Sequence, residues 1–403
     1  MKVLMWMDGS FDRRTPSEHL LVAIVQALYA NGHTVHIIQQ NTGGPLDVLP
    51  NELVNLGVTT DCVPCQMAAK GNLVGRYLAG LGYIWRCRKA IWKHRDCEAV
   101  FNQSSNAAGV MAFMVKRLLP KARLTYNVQD IFPENAAYVG SVKGIVYKIL
   151  SAEQRYAYRH SDQIITISED MKDLLVEKGA DSQKIEVIYN WSYTDSVYRY
   201  EDVYSEKIAE FLSADKFNVV YAGNIGAMQN VDVVVEAAKQ MQDEEDIHFH
   251  IFGDGMYKER LQHEAEGLRN ISFWPMQPSE LAPSIYAMAD VNVIPLAPNI
   301  YRTALPSKTA TCIACRKPII FMFGKESKFG KKIEEEGGCQ LIEAGRAENL
   351  VKAIINVRNR KQGNEINNRE GDFFLKYCRA SVNSRKYAEF VKGESMNEKN
   401  CCL

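Results

Sequence analysis

Residues 305–320 read LPSKTATCIACRKPII, and this stretch indicates the class of fold. After an opening loop, Thr309 to Cys315 is a run of small and mostly apolar residues that predicts a short buried helix. The helix stops before Pro318, and the apolar run from Ile319 to Phe323 predicts a buried strand. A helix, a tight turn and a buried strand together form the unit from which parallel α/β sheets are built.

The same alternation continues along the chain. Helical stretches such as Ser17–Ala30 and Val231–Met241 separate short apolar runs. The predicted strands are KVLMWM (2–7), HTVHIIQQ (33–40), AVFNQ (99–103), ARLTYNVQD (122–130), SDQIITIS (161–168), IEVIYNW (185–191), KFNVVYAG (216–223), IHFHIFGDG (247–255), ISFWP (271–275), ADVNVIPL (289–296) and KPIIFMF (317–323). The pattern predicts parallel sheets covered by helices on both faces, with ligands bound at the carboxyl ends of the strands.

A chain of 403 residues is too long for one hydrophobic core, and a polar stretch from Tyr193 to Ala214 interrupts the alternation. This interruption predicts two doubly wound domains joined by a linker. The predicted divisions are a first domain over 1–195, a linker over 196–213, a second domain over 214–375, a helix over 376–393 that can pack on the first domain, and a frayed tail over 394–403.

The totals exclude several classes of protein. Lysine plus arginine and aspartate plus glutamate both total 48, so a whole-protein nucleic-acid binder is not expected. The start of the chain has too few apolar residues for a signal peptide, and no run of about 18 apolar residues occurs, which predicts a cytoplasmic protein.

Two Cys-x-x-Cys spacings occur, at Cys62/Cys65 and Cys312/Cys315. Zinc needs four ligands and the second pair lies on a predicted buried helix, so free buried thiols and no metal are expected.

Glycine turns follow two strands of the second half. Gly223 and Gly226 lie after KFNVVYA, and Gly253 and Gly255 lie after the next predicted strand. Glycine lets the backbone approach a ligand closely, and a helix that follows such a turn offers free N–H groups to an anion. A tight strand-to-helix turn without a ligand is the competing interpretation, because the full G-x-G-x-x-G spacing is absent.

Lys308 is the unexpected residue in the opening stretch, because a cation at a helix start opposes the helix dipole. An oligophosphate bound at this edge of the sheet would meet the two glycine turns and Lys308 together. The position of Lys308 therefore indicates a phosphate partner.

The order of these segments resembles the retaining glycosyltransferases of family four, which have the GT-B fold. The likeness covers roughly residues 1 to 390, and the variants YNVQDIFPE and PSK resemble the branch that builds bacterial surface polysaccharides on a lipid-linked acceptor. The segments that carry it are VAIVQALYANGHTVHII (22–38), YNVQDIFPE (126–134), SDQIITISEDMKDLL (161–175), KIEVIYNWSYTD (184–195), AGNIG (222–226), IFGDGMYKERL (251–261), ISFWPMQPSELAPSIYAMADVNVIPL (271–296) and LPSKTATCIACRKPII.

The resemblance implies two Rossmann-like domains facing a cleft, with a nucleotide-sugar donor, first of all a UDP-sugar, on the C-terminal domain. The glycine loop and Lys308 would bind the diphosphate, and backbone near Trp274 to Met276 would read the base, with the Trp274 ring in a structural role. The donor-site residues it points to are Gly223, Asn224, Gly226, Gly253, Gly255, Lys258, Trp274, Met276, Thr303, Ser307, Lys308 and Thr311.

The sequence departs from the family pattern where the donor sugar is bound. The two family glutamates, eight positions apart, fall on Thr303 and Thr311, and a threonine hydroxyl cannot supply a bidentate carboxylate. The histidine expected before Asp130 is Gln129. These changes keep open a catalytically inactive binding subunit and, as a third possibility, a GT-B-fold epimerase.

For mechanism, the resemblance implies retention of the anomeric configuration without a metal-binding Asp-x-Asp motif. Lys308 would then stabilise the leaving diphosphate. Asp130 and Glu134 are the carboxylates predicted to lie near the acceptor hydroxyl, although DIFPE could equally cap the helix that follows it.

The stretch Gly75–Arg95 combines aromatic and basic residues. Read as a helix, it places Leu78, Leu81 and two tryptophans on one face, which suits a negatively charged bilayer surface. A core helix with a solvated basic back is the alternative. The predicted membrane-surface residues are Trp85, Arg86, Arg88, Lys89, Trp92 and Lys93, and the predicted location is the inner face of the cell membrane.

Overall fold

The computed structural model describes residues 1–11, 18–41, 43, 48–65, 73–362 and 369–393, with no side-chain description for residues 73, 74 and 362. The tail 394–403, which the sequence predicts to fray, lies outside the described residues. The chain folds into two compact units. The first contains residues 1–190, 303–305 and the chain from 380 onward, and the second contains residues 191–302 and 306–379.

Each unit is built on one parallel sheet, which confirms the predicted fold class. The strands are β1 (Lys2–Trp6), β2 (Thr34–Asn41), β3 (Thr59–Pro64), β4 (Ala99–Gln103), β5 (Arg123–Val128), β6 (Gln163–Thr166), β7 (Ile185–Val187), β8 (Phe217–Ala222), β9 (Ile247–Phe252), β10 (Ile271–Trp274), β11 (Val291–Pro295), β12 (Ile319–Met322) and β13 (Gln340–Leu341). The first sheet has the order β3-β2-β1-β4-β5-β6-β7, and the second has the order β10-β9-β8-β11-β12-β13.

Helices connect these strands. They are α1 (Glu18–Ala30), α2 (Asn51–Val54), α3 (Leu73–Lys93), α4 (Ala108–Leu118), α5 (Glu134–Tyr138), α6 (Gly144–His160), α7 (Glu169–Glu177), α8 (Tyr200–Val203), α9 (Glu206–Ala209), α10 (Asp232–Gln240), α11 (Lys258–Glu264), α12 (Ala282–Met288), α13 (Thr309–Ala314), α14 (Lys328–Gly337), α15 (Ala347–Gln362), α16 (Arg369–Tyr377) and α17 (Ala380–Lys392). No helix among the described residues is long and apolar enough to cross a membrane.

The first sheet is covered on both faces because neighbouring residues of a strand point to opposite sides. On β4, Val100 belongs to the core formed with α3 and α4. The next residue, Phe101, contacts Tyr387 of α17 on the other side, at a ring separation of 6.2 Å. The last helix of the chain is thereby part of the first unit, where it also packs against α1.

The division of the chain differs in detail from the predicted one. Residues 196–213, predicted as a linker, hold α8 and α9 and lie within the second unit. Residues 303–305 lie in the first unit, because the N–H of Ile131 donates to the carbonyl of Thr303 at 2.8 Å and Asp130 pairs with Ala304 in an antiparallel bridge. Such pairing is long-range and leaves no local trace in the sequence.

The strand orders locate the positions where loops diverge. In the first sheet the order reverses between β1 and β4, and in the second it reverses between β8 and β11. Open parallel sheets bind ligands beyond the carboxyl ends of the strands at such switch points. The loops after β8 and β11 are therefore where the second unit is expected to bind a ligand.

Candidate functional site

The loop after β8, Gly223 to Gly226, is held in place by the loop after β9. The N–H of Gly223 donates to the carbonyl of Phe252 at 2.9 Å, and the N–H of Ile225 donates to the carbonyl of Asp254 at 2.8 Å. On the other side of the switch point, the N–H of Ala297 donates to the carbonyl of Met228 at 2.9 Å. The glycine loop is thus fixed by backbone bonds to both neighbouring loops.

Two glycines make this close packing possible. A Cβ atom at Gly253 would lie 1.9 Å from the carbonyl oxygen of Gly223, and a Cβ at Gly255 would lie 2.3 Å from the carbonyl oxygen of Ile225. Both distances are far shorter than any non-bonded contact, and both neighbours are backbone atoms. The absence of a Cβ at Gly253 and Gly255 therefore allows the loops after β8 and β9 to pack against each other.

Lys308 lies against the end of β8. Its Nζ donates to the carbonyl oxygen of Ala222 at 2.8 Å and lies 3.7 Å from the centre of the Tyr221 ring. The Tyr221 hydroxyl donates to the carbonyl of Asn224, so the ring under the lysine also supports the glycine loop. Nothing in the local sequence around Lys308 indicates Tyr221, which lies 87 positions earlier in the chain.

The surroundings of the Lys308 ammonium are unusual for a cation. Among the described residues, no carboxylate pairs with it, and its contacts are a carbonyl and an aromatic face. Burial lowers the pKa of Lys308 to about 7, and the interaction with Cys312 acts in the opposite direction. A cation in such surroundings is stabilised when an anion binds beside it, because the anion replaces the lost hydration.

Lys258 and Trp274 support the loops with their own contacts. The ammonium of Lys258 donates to the carbonyl of Gly253 at 2.8 Å, so it is already hydrogen-bonded within the second glycine turn. The Trp274 indole N–H donates to Nδ1 of His250 at 3.1 Å. His250 therefore carries its proton on Nε2, which lies 2.9 Å from the side-chain oxygen of Asn218, and burial lowers the pKa of His250 to about 3.

The remaining predicted donor-site residues are separated. Thr311 is buried and its hydroxyl lies 3.1 Å from that of Ser192. Thr303 belongs to the first unit, so the two threonines at the family's glutamate positions are in different units. Ser307 and Met276 are exposed. Beside Lys308, the buried hydroxyl of Thr309 has no hydrogen-bond partner among the described residues, a feature that the sequence did not indicate.

In the first unit, Asp130 and Glu134 have different surroundings. Asp130 is open to solvent, yet the protein atoms crowded around its carboxylate raise its pKa to about 6, while a 3.3 Å bond from Asn135 acts in the opposite direction. Glu134 instead pairs with Lys178 and accepts a 2.8 Å hydrogen bond from the hydroxyl of Tyr147. Asp130 is thus available for chemistry, whereas Glu134 holds α5, α6 and α7 together.

Gln129, at the position of the family's histidine, is held by amide and hydroxyl groups. Its side-chain oxygen accepts from Asn190 at 2.9 Å, and its NH₂ group donates to Asn127 at 3.1 Å and to the Tyr387 hydroxyl at 3.3 Å. None of these groups titrates near neutral pH. Gln129 therefore acts as a fixed polar support beside Asp130.

The basic tryptophan helix is α3. The side chains of Trp85 and Trp92 are 60% and 54% exposed, and Arg88 lies 3.4 Å from the centre of the Trp85 ring. Leu81, which a helical projection places with the tryptophans, packs against the core. Lys93 pairs with Asp61 at 3.4 Å, and Arg86 donates to a backbone carbonyl, while Lys89 is exposed.

Among the described residues, His36, Asp61 and His94 form the group whose ligand atoms lie close enough to share a metal ion. Both imidazole Nε2 atoms approach one oxygen of Asp61, at 3.0 and 3.3 Å. The two rings stack at 3.6 Å with 21° between their planes. Stacked rings aim their nitrogen lone pairs along nearly parallel lines, so the geometry fits a shared hydrogen-bonded carboxylate better than a metal site.

Two family models match the chain in the order of the two units. The model described as a glycosyl transferase 4-like domain matches residues 19–191, and the model described as glycosyl transferases group 1 matches residues 216–359. Together they cover most of both sheets. The chain belongs to the family-four type of glycosyltransferase.

Curated relatives of this glycosyltransferase agree. WbjE of Pseudomonas aeruginosa, named as a probable glycosyltransferase, is 25% identical over 296 residues, which is 71% of this chain and 72% of WbjE. WcaI of Escherichia coli K12, named as a colanic acid biosynthesis glycosyl transferase, is 28% identical over 253 residues, which is 59% of this chain and 61% of WcaI.

Solved structures share the fold of this glycosyltransferase. HepE from Anabaena, crystallised with UDP and glucose, superposes with a TM-score of 0.70 at 15% identity, over 98% of this chain and 100% of that one. At this identity the likeness establishes the GT-B fold and no substrate. The predicted family and fold class are confirmed.

Proposed function

We propose that this glycosyltransferase transfers a sugar from a UDP-sugar to a lipid-linked glycan acceptor, in the assembly of a bacterial surface polysaccharide. The donor is held by the second unit, around Gly223 and Lys308. The acceptor is held by the first unit, around Asp130. The relative named for colanic acid biosynthesis and the neighbour crystallised with UDP and glucose support the pathway and the donor class.

The observation that carries the proposal is the unopposed ammonium of Lys308 at the switch point of the second sheet. It touches the carbonyl of Ala222 and the ring of Tyr221, directly beside the glycine loop Gly223 to Gly226. A diphosphate fits this cation by charge. As the sugar departs, negative charge develops on the diphosphate, and a cation already in place stabilises it without reorganisation.

The chemistry on the acceptor side is assigned to Asp130. Its carboxylate is exposed, and its raised pKa suits a group that accepts a proton from a hydroxyl near neutral pH. The proposed outcome is retention, as the family resemblance implies. We further propose that Lys308 takes the role that a divalent cation has in metal-dependent transferases, so that transfer proceeds without a metal.

The proposed location is the inner face of the cell membrane, where a lipid-linked acceptor would be presented. The exposed tryptophans and arginines of α3 support this location. Trp85 lies under the guanidinium of Arg88, a pairing of an amphipathic ring and a cation that suits the lipid headgroup level.

Thermal unfolding with separate additions of UDP, GDP, ADP, CMP and NAD tests the donor site. A nucleotide at about a hundred times its dissociation constant should add about 2.7 kcal/mol to the free energy of unfolding. Stabilisation by UDP alone, abolished in Lys308→Ala, is the expected result. Stabilisation by a different nucleotide would change the donor class, and no response to any of them would remove the proposed donor site.

A catalytically inactive binding subunit is the second candidate, favoured by the two threonines at the family's glutamate positions. In the structure, the hydroxyl of Thr311 is already hydrogen-bonded to the hydroxyl of Ser192. Binding of a UDP-sugar without hydrolysis or transfer, over a range of glycan acceptors, would support the binding subunit. Release of UDP that depends on an added acceptor would establish the transferase.

A further inference from the structure

Positive charge is concentrated in one segment of a chain with no net charge. Between residues 62 and 152 there are thirteen lysines and arginines but four aspartates and glutamates. This segment forms α3, α4 and α6, of which α3 packs against α4 and α4 against α6 in the first unit. Eight of the thirteen basic residues lie on this row of three helices, and five of those eight are on α3.

A cluster of exposed apolar side chains lies at the end of this row. We call Val139, Ile145, Val146 and Ile149 the α5–α6 apolar cluster, and their side chains are 45%, 69%, 47% and 60% exposed. The sequence from Asn135 to Ala152 contains no acidic residue, and the two charges within it are the exposed Lys143 and Lys148. Apolar groups exposed together on a soluble protein mark a surface that contacts something else.

The cluster stands on a small core of its own. Phe132, Ala136, Val142 and Leu150 are buried together, and Tyr77 from the beginning of α3 packs against them. The beginnings of α3 and α6 are therefore neighbours, and Leu78, which follows Tyr77, is itself 60% exposed. The apolar cluster thus continues the surface that carries the tryptophans and basic residues of α3.

The same element is tied to the proposed acceptor residues. Tyr147, between the exposed residues of α6, donates its hydroxyl to Glu134 at 2.8 Å. Glu134 begins α5, four positions after Asp130. Whatever holds the α5–α6 apolar cluster therefore also holds the loop that carries Asp130.

We propose that the α5–α6 apolar cluster inserts into the surface of an anionic lipid bilayer, with the exposed side chains of Arg76, Lys143 and Lys148 beside it on the headgroups. Apolar side chains flanked by lysine and arginine suit a negatively charged membrane, because the apolar groups enter the acyl region and the basic groups contact the headgroups. Insertion places the Asp130 loop at the membrane surface. The placement of the Asp130 loop rests on the proposed function, because it is useful to the protein only if the acceptor is attached to a lipid.

The test uses the full chain without nucleotide or acceptor, floated with vesicles of phosphatidylethanolamine and phosphatidylglycerol or with vesicles of phosphatidylcholine alone. The variant Ile145→Ser/Ile149→Ser removes the two most exposed members of the cluster. The matched control Val54→Ser/Val176→Ser removes two exposed apolar side chains from α2 and α7 of the same unit.

The wild type and the control are expected to float with the anionic vesicles, and the isoleucine variant to bind them at least about tenfold more weakly. Binding of that variant equal to the wild type would overturn the proposal. So would a wild-type dimer that the variant converts to a monomer with vesicle binding unchanged, because the cluster would then join two copies of the chain.

Thermal stabilisation by UDP, measured on the same variants, separates the two proposals. A variant that UDP stabilises as it does the wild type is folded, so its loss of vesicle binding reports on the membrane surface. Absence of UDP stabilisation in the wild type would remove the proposed donor site and leave the vesicle result intact. Flotation without UDP binding would therefore support the membrane surface alone.

Discussion

The ammonium of Lys308 lies 3.7 Å from the centre of the Tyr221 ring, with its proton directed to the carbonyl of Ala222. The ring and the carbonyl are what this structure offers in place of a counter-ion. Electron-rich groups of this kind hold a cation in position without neutralising it. The pair therefore keeps a positive charge at the end of β8, ready for an anionic ligand.

Replacing Lys308 by alanine should cost about 2–3 kcal/mol of transition-state stabilisation, the value of a charge-assisted hydrogen bond. Measured kcat/KM would fall roughly 30- to 150-fold. Lys317→Ala is the matched control, because Lys317 also lies over a ring, 5.7 Å from the centre of Tyr200. Equal losses in both variants would mean that the lysine at 308 acts through folding.

Donor affinity should depend on pH through the protonation of Lys308. Burial lowers the pKa of Lys308 to about 7, so in the free protein the charge is lost as pH rises through 7. Affinity for UDP, measured by calorimetry, should fall by up to about tenfold per pH unit above that point. Lys308→Arg keeps its charge and should flatten this dependence. An unchanged slope in the arginine variant would place the titration on another group.

The same shift has a consequence for stability. The unfolded chain holds the Lys308 proton up to about pH 10.5, while the folded chain releases it near 7. Below pH 7 the folded state carries a buried charge, and that cost is relieved as pH rises from about 7 to 10.5. Lys308→Met should therefore raise the melting temperature of the ligand-free protein most at pH 6. A melting temperature lowered at that pH would contradict a buried uncompensated charge.

Gly255→Ala should disrupt the donor loop, because the added Cβ would lie 2.3 Å from the carbonyl oxygen of Ile225. We expect lower stability and loss of UDP binding. Gly267→Ala is the control for the cost of placing alanine at a positive φ. Gly267 has a φ of +85°, and no atom lies within 4 Å of the added Cβ, so this variant has the backbone strain without the clash. The control should cost about 1 kcal/mol and leave UDP binding unchanged.

Asp130→Asn and Glu134→Gln should separate chemistry from support. The exposed Asp130 carboxylate can be neutralised with little effect on folding, so we expect at least about a hundredfold loss of transfer with UDP binding intact. Glu134→Gln breaks the pair with Lys178 and should lower the free energy of unfolding by about 1–3 kcal/mol. Full transfer activity in Asp130→Asn would remove Asp130 from the reaction.

The free-enzyme pH profile provides a separate check on Asp130. The pKa of Asp130 is raised to about 6, so a proton-accepting carboxylate is lost as pH falls through 6. The charge of Lys308 is lost as pH rises above about 7, so kcat/KM should be highest between about pH 6 and pH 7. Asp130→Asn should remove the acidic limb of the profile and leave the alkaline limb. A profile with both limbs unchanged would contradict the assignment.

Most of the fold follows from local patterns, and the exceptions have a common cause. The strands that the sequence predicted are short apolar runs buried on both sides, as in β8 and β12. The edge strand β3 reads TTDCVP and is mostly half-buried, and β13 is two residues long. Both are edge strands, which lack one neighbour, so their apolar signal is weak and the sequence alone did not reveal them, whereas the more apolar edge strands β7 and β10 were predicted.

The sequence by itself determined the α/β alternation, the two sheets, the glycine turns and the anomaly of a lysine at a helix start, because each of these is written within a few neighbouring residues. Only the tertiary structure decided what Lys308 touches, which carboxylate of the DIFPE segment is already paired, and that α6 exposes its isoleucines. Those facts depend on contacts between residues distant in the chain, as Lys308 and Tyr221 are. Local periodicity carries no information about such contacts, because they are fixed by how whole elements pack.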